Sequence, residues 1–174
     1  SAGRWRELLD GAGIKRAEGG KAIAVDHWLE QLVARWRALR PQVAPQLTLT
    51  AKSDYTQAAP RLFAETTLEQ ALLNLFNNAA DASLDHIEIA AQWNAEWLRI
   101  DIFDRGPGID AALLAQAGHE FFSTREEGIG IGLFLAHAAL KRYGGTITME
   151  PRAGGGTLTR VELPLRALLA QGDA

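Results

Sequence analysis

Residues 68–82 read LEQALLNLFNNAADA, and the assignment of this stretch governs everything around it. Leu68, Leu72, Leu75, Phe76, Ala79 and Ala82 recur at intervals of three and four, the pattern of a helix with one buried stripe. Gln70, Asn74, Asn78 and Asp81 fall on the other side, so a core-forming helix also presents four polar side chains together. Just upstream, Thr66 and Glu69 stand in capping-box spacing, which starts the helix at Thr66 and gives Glu69 a capping duty.

On its N-terminal side, residues 47–51 alternate Leu and Thr as a half-buried strand would. A second helix is expected from Asp26, a suitable N-cap, to Leu39, burying Leu29, Leu32, Val33 and Trp36 and stopped by Pro41. Residues 4–9 read as the end of a short amphipathic helix, and Gly11, Gly13 and the polar residues 15–20 as a linker. The expected domains are 1–20, a linker or helix tail; 21–166, the folded unit; and 167–174, a C-terminal tail.

On its C-terminal side, residues 86–92 and 98–103 alternate and flank Asn94-Ala95-Glu96, which predicts an antiparallel hairpin. Asp104-Arg105-Gly106-Pro107-Gly108 follows the second strand directly. After a loop-rich interval, Gly128-Ile129-Gly130-Ile131-Gly132 leads into a helix starting near Gly130 and capped at Gly144-Gly145, with Leu133, Phe134, Ala138 and Leu140 as its buried side. Strands at 146–150 and 158–163, joined by Gly154-Gly155-Gly156, close the chain. Hairpins mixed with helices, without regular β-α-β alternation, predict an α+β fold: a two-layer α/β sandwich of about three helices on a mixed, mostly antiparallel sheet.

Composition narrows the functional classes. With 174 residues, 47% of them apolar and 22% charged, the chain suits one soluble domain, and a formal charge of −3 offers no footprint for nucleic acid. Zero cysteines exclude disulfides and thiolate metal sites and favour a reducing compartment, and any metal is expected to be oxygen-bound. No apolar run reaches the roughly 18 residues a membrane span requires, so direct membrane contact is not expected.

Three clusters carry chemistry. Asn74 and Asn78, one helical turn apart, supply amide oxygens that bind magnesium without neutralising it, leaving the ion its full pull on phosphates. Asp104, fixed by a glycine turn, is an acceptor able to read an exocyclic amine such as that of adenine. Gly128, Gly130 and Gly132 crowd a helix start, costing about 1 kcal/mol for each glycine inside the helix, and bare backbone amides there suit phosphate. This spacing is neither a dinucleotide fingerprint nor a P-loop. Singly, these features also describe solvated asparagines, a common turn and a glycine loop; in order, they describe a pocket for a magnesium-bound nucleotide.

In that order the chain resembles the GHKL ATP-binding fold, the Bergerat fold shared by sensor histidine kinases, gyrase-type topoisomerases, heat-shock chaperone ATPases and mismatch-repair ATPases. The resemblance spans roughly residues 25–165 and is nearest to a histidine-kinase catalytic domain. Residues 70–79 are similar to its N box, Asp104 to Gly108 to the G1 box, Phe121-Phe122-Ser123-Thr124 to the F box, and Gly128 to Gly132 to the G2 box. It implies that Asn78, helped by Asn74, holds Mg2+, with Asp81 beside them, and that Asp104 binds the adenine amine in a pocket shaped by Gly106 and Gly108. Gly128, Gly130, Ile131, Gly132 and Leu133 then line the phosphates, Thr124 and Arg125 belong to an ATP lid, and Thr157 supports the adenine through water. Where the family more often has Lys after the F box, this chain has Arg125.

The same resemblance implies ATP as ligand and phosphoryl transfer to a histidine on a separate dimerisation domain, with a response regulator downstream. Its hydrolysing members carry glutamate at the position of Asn74, and an asparagine there is a poor proton acceptor, which favours kinase over ATPase. None of His27, His86, His119 and His137 has the His-Glu/Asp-x-x-Arg/Asn setting of an acceptor. The short lid between Phe122 and Gly128 is similar to one group of bacterial sensor kinases. The expected location is cytoplasmic, with membrane anchorage of the parent protein left open. The rival expectations are a serine kinase of the anti-sigma-factor type, an ATPase, or a nucleotide-sensing module without catalysis.

Overall fold

A computed structural model describes residues 21–106 and 129–169. In chain order the elements are β1 (Ala22–Ala24), α1 (Val25–Leu39), β2 (Gln46–Ala51), β3 (Arg61–Phe63), α2 (Thr66–Ala82), β4 (Glu88–Trp93), β5 (Trp97–Phe103), α3 (Ile129–Arg142), β6 (Thr146–Pro151) and β7 (Thr157–Pro164), followed by a 3-10 turn, Leu165–Ala167. Five strands form one sheet in the order β2-β4-β5-β7-β6, and β1 pairs with β3 in a separate two-stranded sheet. Only β2 and β4 run parallel; the other pairs of the larger sheet are antiparallel. Three helices on a mixed five-stranded sheet make the expected α/β sandwich.

The alternating strands divide their residues between two faces. Ile89, Ala91 and Trp93 of β4, Leu98, Ile100 and Ile102 of β5, and Val161 and Leu163 of β7 are buried and join one continuous core with Trp28, Leu32, Trp36, Leu68, Leu72 and Phe76 from α1 and α2. Trp36 and Phe76 meet with ring centroids 5.3 Å apart and tilted by 47°. On the opposite face, cross-strand partners Asp101 and Arg160 form a two-point ion pair at 2.8 and 3.1 Å. Its hydrogen bond raises the pKa of the Arg160 guanidinium, against the opposing pull of burial.

Several local expectations need correction. α1 begins at Val25 directly after β1, so Asp26 lies in its first turn, where its Oδ1 accepts from His27 N–H at 2.9 Å, and the N-cap is Ala24, with no side-chain bond. α2 likewise has Glu65 at its N-cap without a side-chain capping bond, its carboxylate instead accepting from the Tyr143 hydroxyl, and Glu69 accepts from Trp28 Nε1 at 3.2 Å and from the Arg35 guanidinium. Ala82 is exposed, whereas Ala71 and Ala80 are buried. Among the described side chains of α3, Ala136, Ala139 and Leu140 are buried, with Leu133 partly covered, whereas Phe134 is 49% exposed and Ala138 is also on the surface. Small residues on the covered side let α3 lie close against α2.

The end of α3 follows expectation. Gly145 N–H donates to Leu140 O at 2.8 Å and Gly144 N–H to Lys141 O at 3.0 Å, with Gly144 at φ 77°, a left-handed C-cap. The predicted linker, residues 1–20, and residues 170–174 of the predicted tail 167–174 fall outside the described residues, whereas Leu168 is buried and its carbonyl accepts from Phe63 N–H at 2.7 Å.

Candidate functional site

The site is assembled where α2 ends, β5 ends and α3 begins. Tyr143, just past α3, donates its hydroxyl to Glu65, just before α2, and the two helices pack along each other. They therefore run in opposite directions. At about 1.5 Å per residue, the first turn of α3 comes level with the last turns of α2. Gly130, Ile131, Gly132 and Leu133 thus lie in a helix start that faces the half of α2 bearing Asn74 and Asn78. A Cβ added at Gly132 would meet nothing within 4 Å, so packing does not demand that glycine.

Asn74 and Asn78 are both partly buried. Gln70 Nε2 donates to Asn74 Oδ1 at 3.3 Å, and the side chain of Asn78 has no hydrogen-bond partner among the described residues. Their neighbours are employed otherwise. Asn77 Oδ1 accepts from Trp36 Nε1 at 2.9 Å and from Arg40 Nη1 at 3.2 Å, and Arg40 Nη1 also meets Asp81 Oδ1 at 3.0 Å. Asp81, expected beside the nucleotide, is therefore engaged in the seam between α1 and α2.

Asp104 follows β5 and is 6% exposed. Its Oδ1 accepts from Gly106 N–H at 3.0 Å and from Thr157 N–H at 3.2 Å, while its own N–H donates to Thr157 O at 3.0 Å. Oδ2 accepts nothing among the described residues, which leaves an oriented acceptor on a rigid base. Gly106 is required by proximity, since a Cβ there would come within 2.6 Å of Ala82 Cβ. That contact holds the Asp104 turn against the last residue of α2, beside Asn78. Thr157 is 3% exposed and opens β7 directly opposite Asp104.

The structure thus brings Asp104, Gly106 and Thr157 together against the C-terminal end of α2, with Asn78 one turn and Asn74 two turns before that end and the start of α3 alongside. Gly108, Thr124, Arg125 and Gly128, and the Phe121-Phe122-Ser123-Thr124 stretch, lie outside the described residues. Sequence reasoning passed over Asn77, Arg40 and Arg152. Arg152 Nη1 donates to the carbonyl oxygen of Asp104 at 2.8 Å across 48 residues, a pairing no local pattern announces. No group of three or more His, Cys, Asp or Glu suited to a metal occurs among the described residues.

Comparison with known proteins bears on the family and the fold. Residues 63–167 match the family described as histidine kinase-, DNA gyrase B- and HSP90-like ATPase. The tetrathionate sensor histidine kinase TtrS of Salmonella typhimurium is 37% identical over 128 residues, covering 73% of this chain and 21% of that protein. The C4-dicarboxylate transport sensor protein DctS of Rhodobacter capsulatus is 35% identical over 104 residues, covering 56% of this chain and 16% of that protein. The chain thus spans only a small part of the length of these relatives. The catalytic domain of the histidine kinase ThkA superposes with a TM-score of 0.65 over 83% of this chain and 95% of that one, at 21% identity. The mycobacterial sensor histidine kinase MprB gives 0.63 over 83% and 97%, at 22% identity. The structural likeness establishes the fold, and the family match covers more than half of the residues. The chain belongs to the histidine kinase-, DNA gyrase B- and HSP90-like ATPase family and has the ATP-binding fold of that family.

Proposed function

We propose that this chain is the Mg-ATP-binding catalytic domain of a bacterial two-component sensor histidine kinase. It passes the γ-phosphoryl group of ATP to a histidine on a dimerisation domain of the same parent protein, with a response regulator downstream. The observation that carries the reading is Asp104, a buried carboxylate with Oδ1 held by two backbone amides and Oδ2 left without a described partner. Such an acceptor suits the exocyclic amine of adenine and rejects a base with a carbonyl there, because two acceptors would face each other.

The remaining residues suit the other end of the nucleotide. The first turn of α3, with Gly130, Ile131, Gly132 and Leu133, offers backbone N–H groups and a positive helix end to phosphate. The uncharged amide oxygens of Asn78 and Asn74 fit a hard cation shared with phosphate, and magnesium held there would supply charge neutralisation for the leaving diphosphate. The protein itself contributes position rather than covalent chemistry. Asn74 also speaks against hydrolysis, since an amide is a poor base for water. Gly108, Thr124, Arg125 and Gly128 complete the proposed nucleotide contacts, whereas Asp81 is assigned to the helix seam through Arg40.

A cytoplasmic setting, where ATP is abundant, follows from this proposal; no described helix is long and apolar enough to cross a membrane. The direct experiment incubates the chain with labelled ATP and a protein bearing an acceptor histidine. Acid-labile protein phosphate supports the proposal. Acid-stable phosphoserine would replace it with a serine kinase, free phosphate without labelled protein with an ATPase, and the absence of nucleotide binding with a module that has lost the activity.

A further inference from the structure

We infer that Arg152, in the turn between β6 and β7, is a positioning residue that aims the adenine acceptor Asp104. The inference rests on the reading of Asp104 as the group that receives the adenine amine.

In a regular antiparallel ladder, residues paired in this way exchange two bonds, each N–H donating to the other's carbonyl. The register Phe103 with Leu158 places Asp104 opposite Thr157. Only half of the exchange is made. Asp104 N–H donates to Thr157 O at 3.0 Å, but Thr157 N–H turns to the Asp104 side chain, meeting Oδ1 at 3.2 Å. The backbone carbonyl left behind takes its donor from Arg152 Nη1 at 2.8 Å. Arg152 thus replaces a ladder bond, and the displaced amide is one of the two that fix the carboxylate.

Arg152 is itself well seated. Its guanidinium lies over the Phe103 ring, 4.9 Å from the centroid, so it grips the last residue of β5 as well as the residue after it. Its backbone is closed into the turn, with Arg152 N–H donating to Gly156 O at 3.0 Å and Gly155 N–H to Arg152 O at 3.1 Å. Gly156, at φ 99°, lies so close that a Cβ would overlap the Asp104 carbonyl oxygen. The turn is therefore shaped to bring a side-chain donor to that oxygen. Without the guanidinium, Thr157 N–H is drawn back to the carbonyl, Oδ1 loses one of its two donors, and the carboxylate is free to rotate away from the amine.

The test is calorimetric titration of the complete chain with Mg-ATP and with Mg-inosine triphosphate, which carries a carbonyl oxygen in place of the amine. The wild-type chain prefers ATP. In Arg152→Ala, ATP affinity falls about tenfold, the worth of one well-placed hydrogen bond, while inosine triphosphate affinity stays as it was. The preference therefore collapses. Arg152→Lys, which keeps a cationic donor on a long stem, restores most of it. A general loss of fold would lower both affinities together, and should Arg152→Ala not fold, Arg152→Gln reads the same ratio. An unchanged ATP preference in the folded variants, or equal loss for both nucleotides, overturns the inference. A wild-type chain without any preference overturns the Asp104 reading beneath it, and is recognised before any substitution is made.

Discussion

On α2, Asn77 turns toward α1, where its amide oxygen accepts from Trp36 and Arg40, whereas the side chain of Asn78, the next residue, has no hydrogen-bond partner among the described residues. The side chains are identical and about 100° of helical rotation separates them. One side of the helix is a satisfied seam: Glu69 with Trp28 and Arg35, Asn77 with Trp36 and Arg40, Asp81 with Arg40. The other side carries Asn74 and Asn78, whose oxygens are spent on little within the protein. The difference separates polar groups that hold the helix in place from those it presents to a ligand.

Four substitutions bear on this contrast. Trp36→Ala, which empties a fully buried site against Phe76 and removes the donor to Asn77, should destabilise the fold by about 3–5 kcal/mol in urea unfolding. Asn77→Ala leaves the buried indole N–H of Trp36 without its acceptor and should cost about 1–3 kcal/mol, with nucleotide affinity of the folded chain retained. Arg40→Ala should cost about 1 kcal/mol or less, since its partner Asp81 is half exposed, and the loss should shrink further in high salt. Asn78→Ala should shift stability by less than about 0.5 kcal/mol while removing magnesium-dependent nucleotide binding. Were Asn78→Ala as destabilising as Asn77→Ala, the two sides of the helix would not differ in the way described.

How far the chain revealed this in advance depended on whether the deciding contact was local. The hairpin β4–β5 was readable because Asn94 acts on its own neighbours, its Oδ1 accepting from Glu96 N–H at 2.8 Å and Trp97 N–H at 2.9 Å. Gly144 was readable as a cap for the same reason. By contrast β1 and β3, three residues each, are too short to show a period, and they exist because they pair across 38 residues or so of intervening chain. α3 is apolar on nearly every side, so its sequence does not say that Ala136 and Ala139 go inward and Phe134 outward. Glu69 had the spacing of a capping residue until Arg35 and Trp28 claimed it from another helix. In the site, Asn74, Asn78 and Asp104 stood out as residue types in sequence order and Thr157 entered through the family resemblance, but Arg152 could not stand out, since its target lies 48 residues away.

The central claim is that the polar side of α2 and the Asp104 turn bind one nucleotide, and the most direct measurement is a Mg-ATP titration of the wild-type, Asn77→Ala and Asn78→Ala chains, with thermal unfolding recorded on each. The account predicts saturable binding to wild type and to folded Asn77→Ala, and none to an Asn78→Ala chain that melts where wild type does. Undiminished Mg-ATP affinity in Asn78→Ala would contradict it.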